Sequence, residues 1–103
     1  MAYEIEIAPL ANQDLDEIVT YIARTLENPS AAASLLDEVD SCYRSLQSMP
    51  LIYEECRDVR LRALGYRRAV IKNFIMVYRV NEAAKVVRIL RFFYGPRDYE
   101  KLI

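Results

Sequence analysis

Basic side chains are concentrated between residues 66 and 99, where they alternate with aromatic and β-branched residues. A buried sheet face cannot hold so many unpaired guanidinium groups, so most of them must line a solvated, positively charged surface. Such a surface suits an anionic partner, for example a nucleic acid or an acidic protein. The side chains concerned are Arg67, Arg68, Lys72, Arg79, Arg88 and Arg91.

Charge is divided unevenly between the two halves of the chain. Residues 1–50 carry 2 basic and 9 acidic side chains, a net charge of −7, whereas residues 51–103 carry 12 basic and 6 acidic side chains, a net charge of +6. The overall net charge of −1 conceals this asymmetry. Two interpretations are open: binding of an anionic partner, or two solvated faces that neutralise each other within one fold.

The chain contains no histidine, which excludes several classes of enzyme. Histidine is the commonest general base and metal ligand, so its absence argues against a zinc enzyme, a Ser-His-Asp hydrolase and a histidine-dependent ribonuclease. The two cysteines, Cys42 and Cys56, have neither metal-ligand spacing nor a disulfide framework. We therefore expect no metal site and no cofactor.

A length of 103 residues predicts one domain spanning residues 1–103. The longest apolar run is far below the roughly 18 residues that a membrane-spanning helix needs. The first residues lack the basic start and apolar core of a signal peptide. We therefore expect no membrane association and a cytoplasmic location.

The hydrophobic pattern predicts an α+β fold. Residues 3–7 alternate apolar and acidic side chains, as in a half-buried strand, and Pro9 then fits the first turn of a helix over 9–27. Asn28-Pro29 reads as an N-cap and first helical position for a second helix over 29–48. Two helices with so short a link pack as an antiparallel hairpin. The predicted core residues on these helices are Leu15, Ile18, Ile22, Leu35, Val39 and Leu46.

The second half of the chain predicts strands. Runs rich in β-branched and aromatic residues at 66–72, 74–80 and 86–93 indicate a three-stranded antiparallel meander that completes one sheet with the N-terminal strand. Residues 50–64 are the least regular, with a short strand or turn expected over 59–63. Within the sheet, the basic residues Arg79, Arg88 and Arg91 have a second interpretation as cross-strand partners of Glu4 and Glu6.

This order of elements, with these residues, resembles the RelE/ParE superfamily of toxins from type II toxin–antitoxin modules. The resemblance covers nearly the whole chain. The segments that carry it are Ala8-Pro9, Asp14-Leu15, Met49-Pro50, Gly65-Tyr66-Arg67-Arg68, Met76-Val77-Tyr78-Arg79-Val80, Ile89-Leu90-Arg91 and Tyr94-Gly95-Pro96-Arg97-Asp98-Tyr99.

The resemblance implies a growth-inhibiting toxin that is silenced by a cognate antitoxin whose extended segment wraps around it. RelE-like members cleave messenger RNA on the ribosome without a metal, whereas ParE-like members inhibit DNA gyrase and cleave nothing. We expect ribosome-dependent mRNA cleavage, with gyrase inhibition or a degenerate antitoxin-binding module as the alternatives. A homodimer and a hetero-oligomer with the antitoxin are both left open.

For RNA cleavage, the resemblance implies a site of arginines, lysines and tyrosines. Arg97 and Tyr99 correspond to the late arginine and tyrosine of the family, and Tyr94, Glu54 or Glu55 are further candidates for the acid or base. The predicted RNA-binding residues are Arg67, Arg68, Lys72 and Arg91. The chain departs from the RelE-like pattern on one strand, where Ile75 replaces the active-site arginine.

Overall fold

The computed structural model describes residues 2–95 of the chain. A π-helical segment, Tyr21–Thr25, continues the first helix. The other elements are β1 (Glu4–Ile7), α1 (Pro9–Thr20), α2 (Pro29–Ser48), α3 (Val59–Ala63), β2 (Tyr66–Ile71), β3 (Phe74–Asn81) and β4 (Val86–Tyr94). This order confirms the predicted α+β fold, with an N-terminal strand, a helical hairpin and a three-stranded meander.

The four strands form one sheet in the order β1–β4–β3–β2. Strands β2, β3 and β4 pair antiparallel, as predicted. Strand β1 pairs parallel to β4, which the expectation of an antiparallel sheet did not include. Strands that run parallel require a crossover connection between them. The helical hairpin supplies this connection, so that β2 runs in the same direction as β1. Strand β4 runs in the same direction as β2, so β1 meets it in parallel.

The helix boundaries follow local capping chemistry. The side-chain oxygen of Asn28 accepts a hydrogen bond of 3.1 Å from the backbone N–H of Ala31, and α2 begins at Pro29 and ends at Ser48, as predicted. The helix predicted over 9–27 is interrupted. Regular α-helix ends at Thr20, and the wider π-helical turn follows, closed by a 3.0 Å hydrogen bond from the Leu26 N–H to the Tyr21 carbonyl.

The prediction of a short strand or turn over 59–63 is wrong, because these residues form helix α3. The Asp58 side chain caps its start by accepting a 3.1 Å hydrogen bond from the Leu61 N–H. Gly65 follows the helix with a φ of +83°, a conformation that residues with a Cβ rarely adopt. Strand β2 also ends one residue earlier than predicted, because Lys72 enters a two-residue turn with a φ of +54°.

The main core lies between the helical hairpin and one face of the sheet. Leu35, Val39 and Leu46 are buried there, as predicted. Leu15, Ile18 and Ile22 pack against this core but are only partly buried, because α1 and the π-helical turn lie over the edge of the sheet beside β4. The buried sheet residues of this layer are Ala69, Ile71, Met76, Tyr78, Val87, Ile89 and Phe92.

A second, smaller core covers part of the opposite face of the sheet. The segment before β2 passes around the edge of that strand, held by 3.0 Å backbone hydrogen bonds from Arg68 to Glu54 and from Cys56 to Tyr66. Helix α3 then lies over the far face. The buried residues of this second core are Cys56, Leu61, Ile75, Val77 and Phe93. No helix within residues 2–95 combines the length and hydrophobicity that crossing a bilayer would require.

Candidate functional site

An open groove of about 890 Å³ runs between the π-helical turn, the start of α2, the start of β3 and the end of β4. Three of the predicted site residues, Lys72, Arg91 and Tyr94, line this groove. Tyr21 and Leu26, each 55 % exposed, form part of its apolar wall. Tyr21 and Leu26 are not predicted as surface features, because the sequence predicts a regular helix over 9–27 and part of that segment is π-helical. π-Helical turns frequently occur at functional sites.

Arg91 is held by Asp14 of α1. Its Nε donates to Asp14 Oδ2 at 2.7 Å and its Nη2 donates to Oδ1 at 3.2 Å, while the backbone N–H of Phe92 donates to the same carboxylate at 3.0 Å. Asp14 therefore occupies the β4 edge beyond the end of β1. The hydrogen bond with Asp14 raises the pKa of Arg91. The guanidinium also lies 4.8 Å from the centre of the Phe93 ring. Arg91 was predicted to contact RNA, and in the structure its charge is neutralised within the fold.

Arg67 and Arg68 fasten β2 to the segment that precedes it. Arg67 Nη1 donates a 2.8 Å hydrogen bond to the Tyr53 carbonyl. Arg68 forms a salt bridge with Glu54, with Nη2 to Oε1 at 2.6 Å. The hydrogen bond from Arg68 lowers the pKa of the Glu54 carboxyl. Glu54 is therefore ionised and paired, which makes it a poor candidate for the general acid that sequence reasoning considered.

Lys72 differs from the three arginines because its side chain has neither an ion pair nor a hydrogen bond with any residue in the range 2–95. It lies in the turn between β2 and β3, with its side chain exposed on the rim of the groove. Tyr94, at the end of β4, is 49 % exposed. Its ring packs edge-on against Phe74, with a centroid distance of 5.8 Å. The groove therefore brings together the unpaired cation of Lys72 and two exposed phenols, those of Tyr21 and Tyr94.

Arg97 and Tyr99, the principal catalytic candidates, lie outside the described residues. The structure does describe the position where the RelE-like pattern has an arginine. Ile75 is only 6 % exposed and belongs to the second core, in contact with the layer formed by α3. A charged side chain at this place would be buried among apolar neighbours, so the local structure is built for an aliphatic residue.

The alternative interpretation of the sheet arginines, as cross-strand partners of β1 acids, is confirmed for one residue. Arg88 forms a salt bridge with Glu6, its neighbour across the β1–β4 pair. Arg91 pairs with Asp14 instead of a β1 acid. Arg79 of β3 lies opposite Arg88 rather than opposite an acid, because β4 lies between β3 and β1. No cluster of metal-binding side chains is found within residues 2–95.

Comparison with known proteins identifies the family. The family described as ParE toxin of type II toxin-antitoxin system, parDE, matches residues 5–99, which is most of the chain. The fold and the sequence together place the chain in the RelE/ParE-like class, and the chain belongs to the ParE toxin family. No curated protein sequence matches it.

Solved structures of toxins share the fold at low sequence identity. A chain of the chromosomal ParDE system from Pseudomonas aeruginosa superposes with a TM-score of 0.70 at 20 % identity, covering 90 % of this chain and 96 % of the other. An Escherichia coli RelE double mutant in the free state gives 0.67 at 12 % identity, covering 99 % and 93 %. A chain of the Mycobacterium tuberculosis RelBE2 toxin–antitoxin complex gives 0.64 at 20 % identity, covering 91 % and 99 %.

Proposed function

We propose that this toxin acts by binding its target without cleaving RNA, and that the target is DNA gyrase. The observation that carries the proposal is the burial of Ile75 in the second core, where the RelE-like pattern has a catalytic arginine. Ribosome-dependent cleavage without histidine depends on several preorganised cations around the scissile phosphate. An aliphatic side chain removes one of them, and the tight packing of the position leaves no room to restore it.

The arginines predicted to bind RNA already contact other groups of the protein, which supports the same proposal. Arg67, Arg68 and Arg91 each donate hydrogen bonds to protein oxygens that lie within about 3 Å. A guanidinium that already contacts a carboxylate or a carbonyl would have to exchange that contact for one with RNA, which reduces the net gain in binding. Lys72 is the predicted RNA-binding residue that keeps its charge available, and one lysine gives little affinity for a polyanion.

We propose that the cognate antitoxin occupies the groove between the π-helical turn and the end of β4. The groove exposes large apolar side chains, among them Tyr21, Leu26 and Tyr94, that a toxin free of its partner leaves in contact with water. An exposed apolar groove of this size fits an amphipathic segment inserted by its apolar face. The solved relatives from P. aeruginosa and M. tuberculosis come from toxin–antitoxin systems, which supports this choice of partner.

A second candidate function, ribosome-dependent mRNA cleavage, is favoured by one observation. Lys72 and Tyr94 line the same groove, and Tyr94 lies at the end of β4 only three residues before Arg97. If the toxin is a nuclease, we expect Arg97 to stabilise the scissile phosphate and Tyr99 or Tyr94 to position or protonate near it.

The test is induced expression of the full chain in a bacterial host, with mRNA integrity and plasmid topology measured in the same cultures. The matched variants are Arg97→Ala, Lys72→Ala and, as a control on the exposed end of the π-helical turn, Arg24→Ala. For gyrase inhibition, we expect growth arrest with relaxed or broken plasmid and with intact translated messages. Purified toxin should also inhibit supercoiling by purified gyrase.

The nuclease interpretation makes the opposite prediction. Primer extension would then show cuts in translated mRNA, plasmid topology would stay normal, and Arg97→Ala would reduce cleavage by about 10²–10³-fold. Arg24→Ala should remain toxic under either mechanism. Growth arrest with cleaved messages and fully active gyrase would refute the proposal.

A further inference from the structure

A second hollow, of about 730 Å³, lies at the end of the sheet where β2 begins, β3 ends and β4 begins. It is lined by different residues from those of the antitoxin groove. Its charged lining residues are Glu6, Arg67, Arg79, Glu82 and Arg88, and its apolar walls include Leu51 and Val80. No residue of this hollow has a role in the mechanism proposed above.

The strand register places four polar or aromatic side chains in one row across the sheet. Glu6 of β1 is opposite Arg88 of β4, Arg88 is opposite Arg79 of β3, and Arg79 is opposite Tyr66 of β2. Residues directly opposite each other across paired strands point to the same face. The row therefore presents two guanidinium groups side by side, with one carboxylate at its end.

This arrangement leaves a local excess of positive charge. Glu6 forms a salt bridge with Arg88, and Arg79 has no acidic partner within residues 2–95. Like charges directly opposite each other destabilise a sheet. Gly65 adjoins this position, since a Cβ there would lie 3.8 Å from Arg79 Nε, at van der Waals distance. An added anion would relieve the repulsion between Arg79 and Arg88.

From this geometry we infer that the hollow binds an acidic side chain of a peptide partner, with its carboxylate between Arg79 and Arg88 and an apolar neighbour against Val86, which lines the hollow on the same face of β4 as Arg88. A planar guanidinium binds a carboxylate through paired hydrogen bonds. The inference depends on the antitoxin partnership proposed above only for the biological source of the peptide.

The composition of the hollow favours a peptide over a nucleic acid. Glu6 and Glu82 stand beside the arginines and would repel a backbone that carries one negative charge per nucleotide. A single carboxylate carries one negative charge and therefore meets less of that repulsion than a run of phosphates. The apolar walls also have no counterpart in a phosphate backbone, whereas a peptide that alternates acidic and apolar residues complements both parts of the hollow.

The experiment measures binding to the purified full-length chain by fluorescence anisotropy, using three labelled probes. One is a short peptide with glutamates among valines, the second is the same peptide with glutamines, and the third is a single-stranded RNA of equal length. The variants are Arg79→Gln and the matched control Arg24→Gln, which removes the same charge from the π-helical turn. Melting temperatures are recorded for both variants.

We expect the unmodified chain to bind the glutamate peptide about tenfold more tightly than the glutamine peptide, as for a partly exposed charge-assisted hydrogen bond. This preference should fall with added salt, disappear in Arg79→Gln and persist in Arg24→Gln. Arg79→Gln should melt no lower than the parent chain, because the substitution removes a like-charge pair.

Three outcomes would overturn the inference. In the first, the preference for the glutamate peptide survives Arg79→Gln. In the second, Arg24→Gln abolishes the preference as fully as Arg79→Gln does, which would show that it depends on the net charge of the chain. Tighter binding of RNA than of the glutamate peptide, lost in Arg79→Gln, would assign the hollow to nucleic acid. None of these results depends on whether the toxin inhibits gyrase, so the inference and the proposed function can fail separately.

Discussion

The pair formed by Asp14 and Arg91 allows a direct test of whether this arginine is structural. The Asp14 carboxylate accepts two hydrogen bonds from Arg91 and one from the Phe92 backbone N–H. Both side chains are largely buried, with 14 % of Asp14 and 28 % of Arg91 exposed. The carboxylate thereby fastens α1 to the end of β4, where β1 no longer pairs with that strand. Asp14→Ala removes all three contacts at once.

The expected loss of stability can be worked out from these contacts. Hydrogen bonds to charged groups contribute about 1.5–3 kcal/mol each, and an unsatisfied backbone N–H costs about 1–3 kcal/mol, but the three contacts share one carboxylate and do not add. Partial exposure of Arg91 lets water replace some of the loss. We therefore expect Asp14→Ala to lower the free energy of unfolding by about 3 kcal/mol. Asp14→Asn should cost less, because the amide oxygen can still accept from Phe92.

Urea denaturation followed by circular dichroism measures the effect, and a double-mutant cycle with Arg91→Met isolates the ion pair. Methionine keeps apolar contact with the Phe93 ring, so the cycle reports mainly on the charge. We expect a coupling free energy of about 1–2 kcal/mol. The control Asp16→Ala, an exposed acid on the same helix, should change stability by less than about 0.5 kcal/mol. A coupling near zero, or equal losses for Asp14→Ala and Asp16→Ala, would refute a structural role for Arg91.

Three further predictions test the cores and the buried tyrosines. Ile75→Arg should destabilise the fold by more than about 3 kcal/mol in urea denaturation and should create no RNA cleavage; a stable or cleaving variant would contradict the proposed function. Val39→Ala and Ile22→Ala should each cost about 1–4 kcal/mol, with Ile22 at the lower end because it is only partly buried; a larger loss at Ile22 would contradict this ranking. Burial raises the pKa of Tyr43 and of Tyr78 to about 12, from 10.0. Because the folded state favours the neutral phenols, stability should be constant below pH 10 and fall between pH 10 and 12, as measured by circular dichroism alongside tyrosinate absorbance; constant stability across that range would contradict it.

The parts of the fold that were predictable have strong local signals. Helix α2 combines an N-cap, a proline at its first position and an apolar stripe of five buried residues, and its observed bounds equal the predicted ones. Strands β3 and β4 are dense in β-branched and aromatic residues and are separated by a polar break. In these segments local propensity and tertiary packing favour the same structure, so sequence alone was sufficient.

The parts that were missed depend on contacts distant in sequence. Helix α3 is five residues long, too short for periodicity to reveal, and its one local signal was the capping residue Asp58. The π-helical turn has the composition of ordinary helix. The parallel pairing of β1 depends on the direction in which the hairpin returns the chain. Asp14 and Arg91 are 77 positions apart in the sequence. No local pattern could therefore have shown that Arg91 is paired within the fold instead of lying on an RNA-binding surface.

Both interpretations of the charge asymmetry apply, each to different basic residues. Arg88 with Glu6 and Arg91 with Asp14 each join the basic half of the chain to the acidic half, so part of the +6 charge serves to hold the fold together. Lys72 on the groove and Arg79 in the hollow keep their charge unpaired within residues 2–95. A partner that binds at either place therefore meets few cations, bordered by apolar surface. Binding should consequently show a shallow salt dependence, unlike that of a protein that follows a nucleic-acid backbone through many phosphate contacts.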